Sequence, residues 1–356
     1  MPAPKSTVSE LRLPAEWEPH SATVLAWPVN TADWPGKFQP IPWVFAEIIR
    51  HLAPHEPVLL LISSKGHEPK IRKLLVRAGA DVEGVRFAPL ALDRGWMRDC
   101  SPAFVASKSA RGSALRAVRF AFRGWAKYSN WRKDAKAAEF LAKRTGAELI
   151  DAMHGDRHVV LEGGGIDSDG EGTLLTTEEC LLDPAVQVRN PGFARADYEA
   201  VFRQHLGIRK TIWLGRGIVG DDTHGHVDDL CRFTAPKTVV LCRESNPRDA
   251  NYHALEENRE RLQGAKDAKG RAIECIALPM PAPVVFDGMR LPASYANFYI
   301  ANGTVIVPTF NDPNDRVALG ILAELFPGRT IRGIHAVDLV WGLGTLHCLT
   351  HEIPAV

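Results

Sequence analysis

The hydrophobic pattern of the chain alternates between short apolar runs and longer amphipathic stretches. Amphipathic stretches, in which apolar residues recur every three or four positions, predict helices at Ile41–Leu52, Glu68–Ala78, Asp134–Thr145, Tyr198–Leu206, Tyr252–Gln263 and Asp315–Leu325. The short apolar runs predict strands at Ala22–Ala26, Val58–Ile62, Ala103–Val105, Ala117–Phe120, Leu174–Thr176, Thr211–Trp213, Val239–Leu241, Phe298–Ile300 and Val305–Val307. Because strands and helices alternate, the pattern indicates an α/β or α+β fold.

The spacing of the predicted helices limits the number of possible architectures. After the first two helices, more than one strand usually separates one helix from the next, so the helices are too few for a (β/α)₈ barrel. A unit of strands plus one helix, repeated about five times, fits the spacing better. No stretch has the composition of a linker, and we therefore expect one continuous domain over residues 1–356.

Charge and composition exclude several classes of protein. The chain has 43 Lys and Arg against 42 Asp and Glu, so it lacks the large net positive charge that would bind nucleic acid or an anionic membrane. The longest aliphatic run, Val58–Ile62, is far too short to span a bilayer, and Met1–Leu13 lacks the apolar core of a secretory signal. The six cysteines form no C-x-x-C pair, which is typical of free thiols. We expect a soluble cytoplasmic protein with no nucleic-acid or membrane partner.

A glycine-rich segment at 215–220 matches the G-x-G-x-x-G pattern of dinucleotide-binding proteins and follows a predicted strand. Two carboxylates, Asp221 and Asp222, come directly after it, where a pyrophosphate would lie. Gly225 would interrupt any helix that began there. The segment is therefore interpreted as a turn and not as a nucleotide site.

The densest cluster of ionisable side chains is at 224–229. If this segment is a strand, His224, His226 and Asp228 lie on one face and could bind zinc as in a metal-dependent hydrolase. Alternatively the site is free of metal, His226 acts as general acid/base, and Asp228 anchors a cationic substrate. The residues alone leave both alternatives open.

Three further segments carry candidate chemistry. Trp96 and Asp99 lie at the edge of a predicted strand, and Glu162 precedes a run of three glycines, where the backbone can approach another group closely. Cys348 lies in a glycine-flanked turn near the C-terminus and is a candidate nucleophile if a base lies nearby in space.

Together these segments resemble the agmatine deiminases of the bacterial peptidyl-arginine deiminase family, a part of the guanidine-modifying superfamily. The resemblance covers the chain from Leu13 to Pro354 and rests on six motifs in the family's order. The motifs are Pro14–His20, Trp96–Asp99, Glu162–Gly165, Gly225–Asp228, Ser294–Gly303 and His347–Thr350.

The resemblance implies a fold and an activity. The fold is a five-bladed α/β propeller (a pentein) of ββαβ units, with pseudo-fivefold symmetry and a central active site. The activity is hydrolysis of a guanidinium to a ureido group and ammonia, with neither metal nor organic cofactor. The leading expectation is conversion of agmatine to N-carbamoylputrescine by a homodimer; deimination of another small guanidine or of peptidyl-arginine is the alternative within the family.

The resemblance also implies roles for individual residues. Cys348 matches the family's nucleophile, which would carry a thiouronium intermediate, and His226 matches its general acid/base. Asp99 and Asp228 match the carboxylates that grip the guanidinium, and Glu162 matches the acidic residue that supports the histidine. A guanidinium is a poor electrophile, so the attacking sulfur should be a thiolate.

Specificity is expected to lie at the far end of the substrate. Trp96 matches an aromatic of the family's substrate site, whereas Leu343, the Trp125 segment and Val29–Asn30 depart from the family pattern. Asp222 could meet a distal ammonium group, and the aromatic side chains of Trp125, Tyr128 and Trp131 could shape that end.

Two other cysteines are weaker candidates for the nucleophile. Cys100 adjoins Asp99, and a neighbouring carboxylate disfavours a thiolate. Cys231 lies five residues after His226, so on a strand its side chain would face away from that histidine. Both are expected to be structural.

Overall fold

Strands and helices alternate through residues 10–109 and 112–356, the part of the chain that the structure, a computed structural model, describes. The helices are α1 Ile41–Leu52, α2 Glu68–Arg77, α3 Met97–Cys100, α4 Ala137–Thr145, α5 Glu178–Leu182, α6 Arg195–Leu206, α7 Tyr252–Leu262, α8 Asn314–Leu325 and α9 Leu346–Leu349. The strands are β1 Glu10–Arg12, β2 His20–Ala26, β3 Val58–Ile62, β4 Val85–Pro89, β5 Ala103–Ser109, β6 Gly112–Arg119, β7 Glu148–Asp151, β8 Met153–His154, β9 Arg157–His158, β10 Asp167–Ser168, β11 Thr173–Thr177, β12 Lys210–Leu214, β13 Cys231–Ala235, β14 Thr238–Arg243, β15 Glu274–Pro279, β16 Val285–Phe286, β17 Met289–Arg290, β18 Tyr299–Ile300, β19 Thr304–Thr309, β20 Thr330–His335 and β21 Thr350–Pro354.

Five sheets of three or four strands share one pattern among the described residues. Their strand orders are β1-β5-β6-β7, β10-β11-β12, β13-β14-β15, β18-β19-β20 and β21-β2-β3-β4. In each, an antiparallel pair is followed by a parallel neighbour that the chain reaches through one or two helices. The architecture is therefore a mixed α/β fold built from repeated ββαβ units.

The last unit joins the two ends of the chain. The C-terminal strand β21 pairs antiparallel with β2, so that Leu25 lies opposite Thr350. The turn that carries Cys348 is thereby held against a strand from the beginning of the chain. Both halves of the sequence are needed to complete this sheet.

Amphipathic helices cover the sheets. In α1, the residues that recur at helical spacing (Ile41, Phe45, Ile48, Ile49 and Leu52) are fully buried, as the sequence pattern predicts. Helix α6 ends at Gly207, whose φ of 72° suits a left-handed C-cap, and a Cβ at this position would lie 1.8 Å from the carbonyl oxygen of Leu11.

A short helical turn or bend precedes the first strand of each ββαβ unit, that is β5, β10, β13, β18 and β21. These five segments contain Met97–Cys100, Gly163–Gly165, Val227–Asp229, Ser294–Asn297 and Leu346–Leu349. They include or adjoin every residue to which the resemblance assigns a catalytic role. The repeated unit thus presents the functional side chains at equivalent places.

The predicted helices and strands are all confirmed, with ends that differ by a few residues. In residues 10–109 and 112–356, no helix is long and apolar enough to cross a membrane. Most of Met1–Leu13, for which the absence of a secretory signal was predicted, lies outside the described residues.

Candidate active site

Cys348 lies at one end of a cavity of about 150 Å³. Its turn, α9, leads directly into β21, and the Sγ atom faces Asp228 Oδ2 at 3.7 Å. Asp99 and Trp96 line the same cavity. Gly344 makes this arrangement possible, because a Cβ there would lie 2.8 Å from the Trp96 ring and 3.2 Å from the sulfur.

The two aspartates predicted to grip a guanidinium are both buried beside this sulfur. Asp99 accepts hydrogen bonds from the Trp125 indole N–H at 2.8 Å and from the Gly164 backbone N–H at 2.9 Å. Asp228 pairs through Oδ2 with His347 Nδ1 at 2.6 Å, whereas its Oδ1 meets no donor among the described residues. A buried carboxylate oxygen of this kind is ready to accept a hydrogen bond from a ligand.

His226 is fully buried between two carboxylates. Its Nδ1 lies 3.8 Å from Asp99 Oδ1 and its Nε2 lies 3.8 Å from Glu162 Oε2, so both contacts are ionic and neither is a hydrogen bond. Burial alone would lower the pKa of His226, but Asp99 and the other neighbouring groups raise it well above its usual value. The imidazole is thus held charged at neutral pH.

Glu162 is held in its ionised form by a buried arginine. Arg189 Nε lies 3.2 and 3.4 Å from the two carboxylate oxygens, and both side chains are fully buried. Burial alone would raise the pKa of Glu162, but Arg189 and then His226 lower it to about 2. Glu162 therefore presents a permanent negative charge to His226.

Gly164 allows the catalytic side chains to come together. A Cβ at this position would lie 2.5 Å from His226 Nδ1, 2.9 Å from Asp99 Oδ1 and 3.0 Å from Asp228 Oδ2. No side chain fits at such distances. The glycine run that the sequence singles out therefore serves close packing beneath the site.

The surroundings of the Cys348 sulfur favour the protonated thiol when no substrate is bound. Burial, followed by the charges of Asp228, Asp229 and Asp99, raises the pKa of Cys348 well above its usual value. Burial likewise raises the pKa of Cys100, and its Sγ donates to the Trp96 carbonyl at 3.3 Å. Cys100 was considered the weaker nucleophile because of its carboxylate neighbour, but Cys348 has carboxylate neighbours as well. The difference between the two cysteines is that Cys348 lines the cavity.

The outer part of the cavity mixes aromatic and charged groups. Trp96 donates through Nε1 to Asp33 at 3.3 Å, and burial raises the pKa of Asp33 to about 6. Asp222 lines the cavity as well, where it accepts from the Tyr128 hydroxyl at 2.6 Å and pairs with Lys127. Leu343 also faces this space, in the left-handed region at φ 68°.

The Trp125 turn is a strained part of the cavity wall. Gly124, Trp125 and Ala126 have φ values of 57°, 56° and 54°, and a bulky residue rarely adopts this conformation. The turn directs the Trp125 indole N–H at Asp99, and the hydrogen bond between them offsets this strain. Trp131 packs against Gly124 and is absent from the residues that line the cavity.

The interpretation of 224–229 as a strand is wrong. Residues 227–229 form a helical turn, and the preceding His224 and Gly225 have φ values of 63° and 91°. His224 points away from His226 and binds Asp183 Oδ2 at 2.8 Å. The three ligands of the zinc alternative, His224, His226 and Asp228, therefore do not share one face.

Two other groups of potential metal ligands converge among the described residues. They are Glu162, Cys180 and His226 in one group, and Asp228, Asp229 and Cys348 in the other. Glu162 is already paired with Arg189, and the second group gathers two buried carboxylates around the thiol of Cys348, which lines the cavity. A cationic organic group suits these carboxylates as well as a metal ion does.

Four functional residues were missed from the sequence. Arg189 has no local signal, because its partner Glu162 lies 27 positions away. His347, Glu16 and Asn297 lie inside the quoted motifs without an assigned role: His347 bridges Asp228 and Glu16, and Asn297 binds the Cys348 sulfur at 3.1 Å.

Comparisons with known proteins show which family this chain resembles. Residues 12–354 match the family model described as Porphyromonas-type peptidyl-arginine deiminase. An agmatine deiminase of Stutzerimonas stutzeri is 36% identical, over 96% of this chain and 95% of the relative.

Solved structures show the same likeness. An agmatine deiminase of Enterococcus faecalis is 30% identical with a TM-score of 0.88, over 97% of this chain and 96% of that one. A C. jejuni agmatine deiminase with substrate bound is 26% identical with a TM-score of 0.84, over 96% of each chain. The chain belongs to the Porphyromonas-type peptidyl-arginine deiminase family.

Proposed function

We propose that this protein hydrolyses agmatine to N-carbamoylputrescine and ammonia, as a hydrolase of C–N bonds in linear amidines. The observation that carries the proposal is the buried Cys348 thiol, which lines the cavity together with Asp99 and lies 3.7 Å from the buried Asp228 carboxylate. The relatives named agmatine deiminase, which match nearly the whole chain, favour agmatine among guanidines. A cavity of about 150 Å³ suits a small guanidine better than a peptide.

The proposed architecture is a five-bladed propeller with pseudo-fivefold symmetry. It is supported by the five sheets of shared strand order and by the pairing of β21 with β2. In this arrangement the five segments that precede the first strands of the ββαβ units face a common axis, where the substrate guanidinium would lie.

The guanidinium would be held by Asp99 and Asp228. Planar N–H donors match carboxylate oxygens, and Asp228 Oδ1 meets no other donor among the described residues. Because both side chains are held by hydrogen bonds of their own, they would fix the plane of the guanidinium and present its central carbon to Cys348.

Substrate binding would itself generate the thiolate. The charges of Asp228, Asp229 and Asp99 contribute to the raised pKa of the Cys348 thiol, and a bound cation offsets those charges. The thiol proton then leaves to solvent, and the sulfur attacks the central carbon to form a C–S bond. The Cys348 thiolate would thus form when a guanidinium is bound beside it.

His226 would move the protons of both half-reactions. As imidazolium it protonates the departing nitrogen, the C–N bond breaks, and ammonia leaves a thiouronium on Cys348. The neutral imidazole then takes one proton from the attacking water. Breakage of the C–S bond, with loss of the remaining hydroxyl proton to solvent, releases the neutral ureido product and the thiolate. Glu162, held ionised by Arg189, would favour the charged form of His226.

The distal ammonium of agmatine would lie in the outer part of the cavity. Asp222 is the proposed partner there, with Trp96 and Trp125 lining the path of the aliphatic chain. Asp222 already pairs with Lys127, so it would share its charge between that lysine and the substrate.

The test is product formation from agmatine, arginine, other small guanidines and an arginine-containing peptide, each measured with excess EDTA. We expect ureido product and ammonia from agmatine, undiminished by EDTA. Turnover of a different guanidine in place of agmatine would overturn the substrate assignment. Loss of activity in EDTA would overturn the metal-free mechanism.

A further inference from the structure

The Asn297 side chain is in direct contact with the Cys348 sulfur, and the proposed mechanism does not yet use it. It lies in the bend before β18, the fourth of the five segments that precede the first strand of a ββαβ unit. The other four segments supply or adjoin Asp99, Glu162, Asp228 and Cys348. Asn297 therefore occupies the corresponding place in the repeated unit.

The orientation of the Asn297 carboxamide is fixed by its neighbours. Oδ1 accepts from the Thr345 hydroxyl at 2.8 Å and from the backbone N–H groups of His347 at 3.1 Å and Cys348 at 3.4 Å. A backbone N–H can only donate, so the carboxamide oxygen must face it. Nδ2 is thereby directed to the other side, where it donates to Asp229 Oδ1 at 3.0 Å and to Cys348 Sγ at 3.1 Å.

This donor distinguishes Cys348 from Cys100. At Cys100 the partner of the sulfur is a carbonyl oxygen, which can only accept and so favours the protonated thiol. At Cys348 the sulfur donates to Asp228 Oδ2 at 3.7 Å and also accepts from an amide N–H at 3.1 Å. The second contact, which Cys100 lacks among the described residues, favours the thiolate, since hydrogen bonds to an ionised acceptor are the stronger ones. Carboxylates crowd the Cys348 sulfur, and Asn297 is the neutral donor that faces it.

We propose that Asn297 is a catalytic residue, whose carboxamide holds the Cys348 turn through Oδ1 and stabilises the attacking and departing thiolate through Nδ2. The proposal rests on the assignment of Cys348 as nucleophile in the proposed function. Its chemical role is that of a hydrogen-bond donor aimed at an anion that forms during the reaction.

The variant Asn297→Asp removes the donor but also adds a negative charge, which would face Asp229 Oδ1 at about the 3.0 Å now spanned by a hydrogen bond. It keeps the size of the side chain and an oxygen that can accept from the turn, and it loses the N–H that faces Sγ. Thr345→Val is the matched control, because it removes one donor to Oδ1 and leaves the Nδ2 contact in place. Asn297→Ser is measured beside Asn297→Asp, because it loses the same N–H without adding a charge, and the role of the donor requires both variants to change in the same direction.

Two readouts decide the proposal: kcat with agmatine, and the rate of Cys348 alkylation by iodoacetamide against pH without substrate, followed on the Cys348 peptide by mass spectrometry. For Asn297→Asp we expect kcat to fall by about 10²–10³. We also expect its alkylation profile to move to higher pH by at least about one unit, while Thr345→Val keeps the wild-type profile.

Unchanged kcat in Asn297→Asp, or a lower kcat with the wild-type alkylation profile, would overturn the proposal. Cys348→Ala is measured alongside. Activity in Cys348→Ala would refute the proposed function itself, whereas an inactive Cys348→Ala beside a fully active Asn297→Asp would refute the role of Asn297 alone.

Discussion

The ion pair between Arg189 and Glu162 makes a quantitative prediction about stability. Both side chains are fully buried, and Arg189 Nε lies 3.2 and 3.4 Å from the carboxylate oxygens. The variant Arg189→Met keeps much of the apolar volume and removes the charge. It leaves Glu162 buried without its main counter-ion, which is among the costly substitutions.

The magnitude follows from the pKa of Glu162, which falls from 4.5 to about 2 in the folded protein. Each pKa unit corresponds to about 1.4 kcal/mol, so the ionised state of Glu162 contributes about 3 kcal/mol to folding at neutral pH. Because the folded pKa is depressed, this contribution is present above pH 4.5 and is lost as the pH falls towards 2. We expect Arg189→Met to lose about 3 kcal/mol at pH 7, and the gap to the wild type to narrow by about half near pH 3.

Urea unfolding at several pH values, followed by tryptophan fluorescence, measures this difference. Arg119→Met is the control, since Arg119 pairs with Asp151 at 2.6 Å on the surface and its loss should cost less than about 1 kcal/mol at any pH. A loss in Arg189→Met that is below 1 kcal/mol at pH 7, or equally large at pH 7 and pH 3, would refute the reasoning.

Two further predictions concern the cavity. Gly164→Ala should lower kcat by about 10² or more, because its Cβ would lie 2.5 Å from His226 Nδ1. Gly320→Ala is the control and should leave kcat unchanged, since nothing lies within 4 Å of its Cβ. Near-equal activities of the two variants would refute the close packing at Gly164. Asp222→Asn should raise KM for agmatine about tenfold with little change in kcat, since no carboxylate would then offset the positive charge of Lys127. An unchanged KM would exclude Asp222 from binding the distal ammonium.

The fold could be predicted from the sequence where burial is one-sided or complete. Helix α1 and strand β3 have the predicted bounds, because their buried residues carry a clear hydrophobic pattern. Strands β15 and β20 were missed because they end their sheets and expose most of their residues, so little apolar signal remains. The edge strands are therefore defined by pairing rather than by composition.

The site could be predicted only as far as its motifs extend. Gly164 and Cys348 lie in segments with distinctive local sequence. The zinc alternative failed because the positive φ angles of His224 and Gly225 break the alternation that a strand requires. Arg189 could not be found, because its function depends on a partner brought close only by folding.

The central claim is that Cys348 performs the attack on the guanidinium. The most direct measurement is ureido and ammonia formation from agmatine by the wild type and by Cys348→Ala, with the folded state of both confirmed by thermal melting. We predict product from the wild type and none from Cys348→Ala at an unchanged melting temperature. Product formation by folded Cys348→Ala would contradict the mechanism.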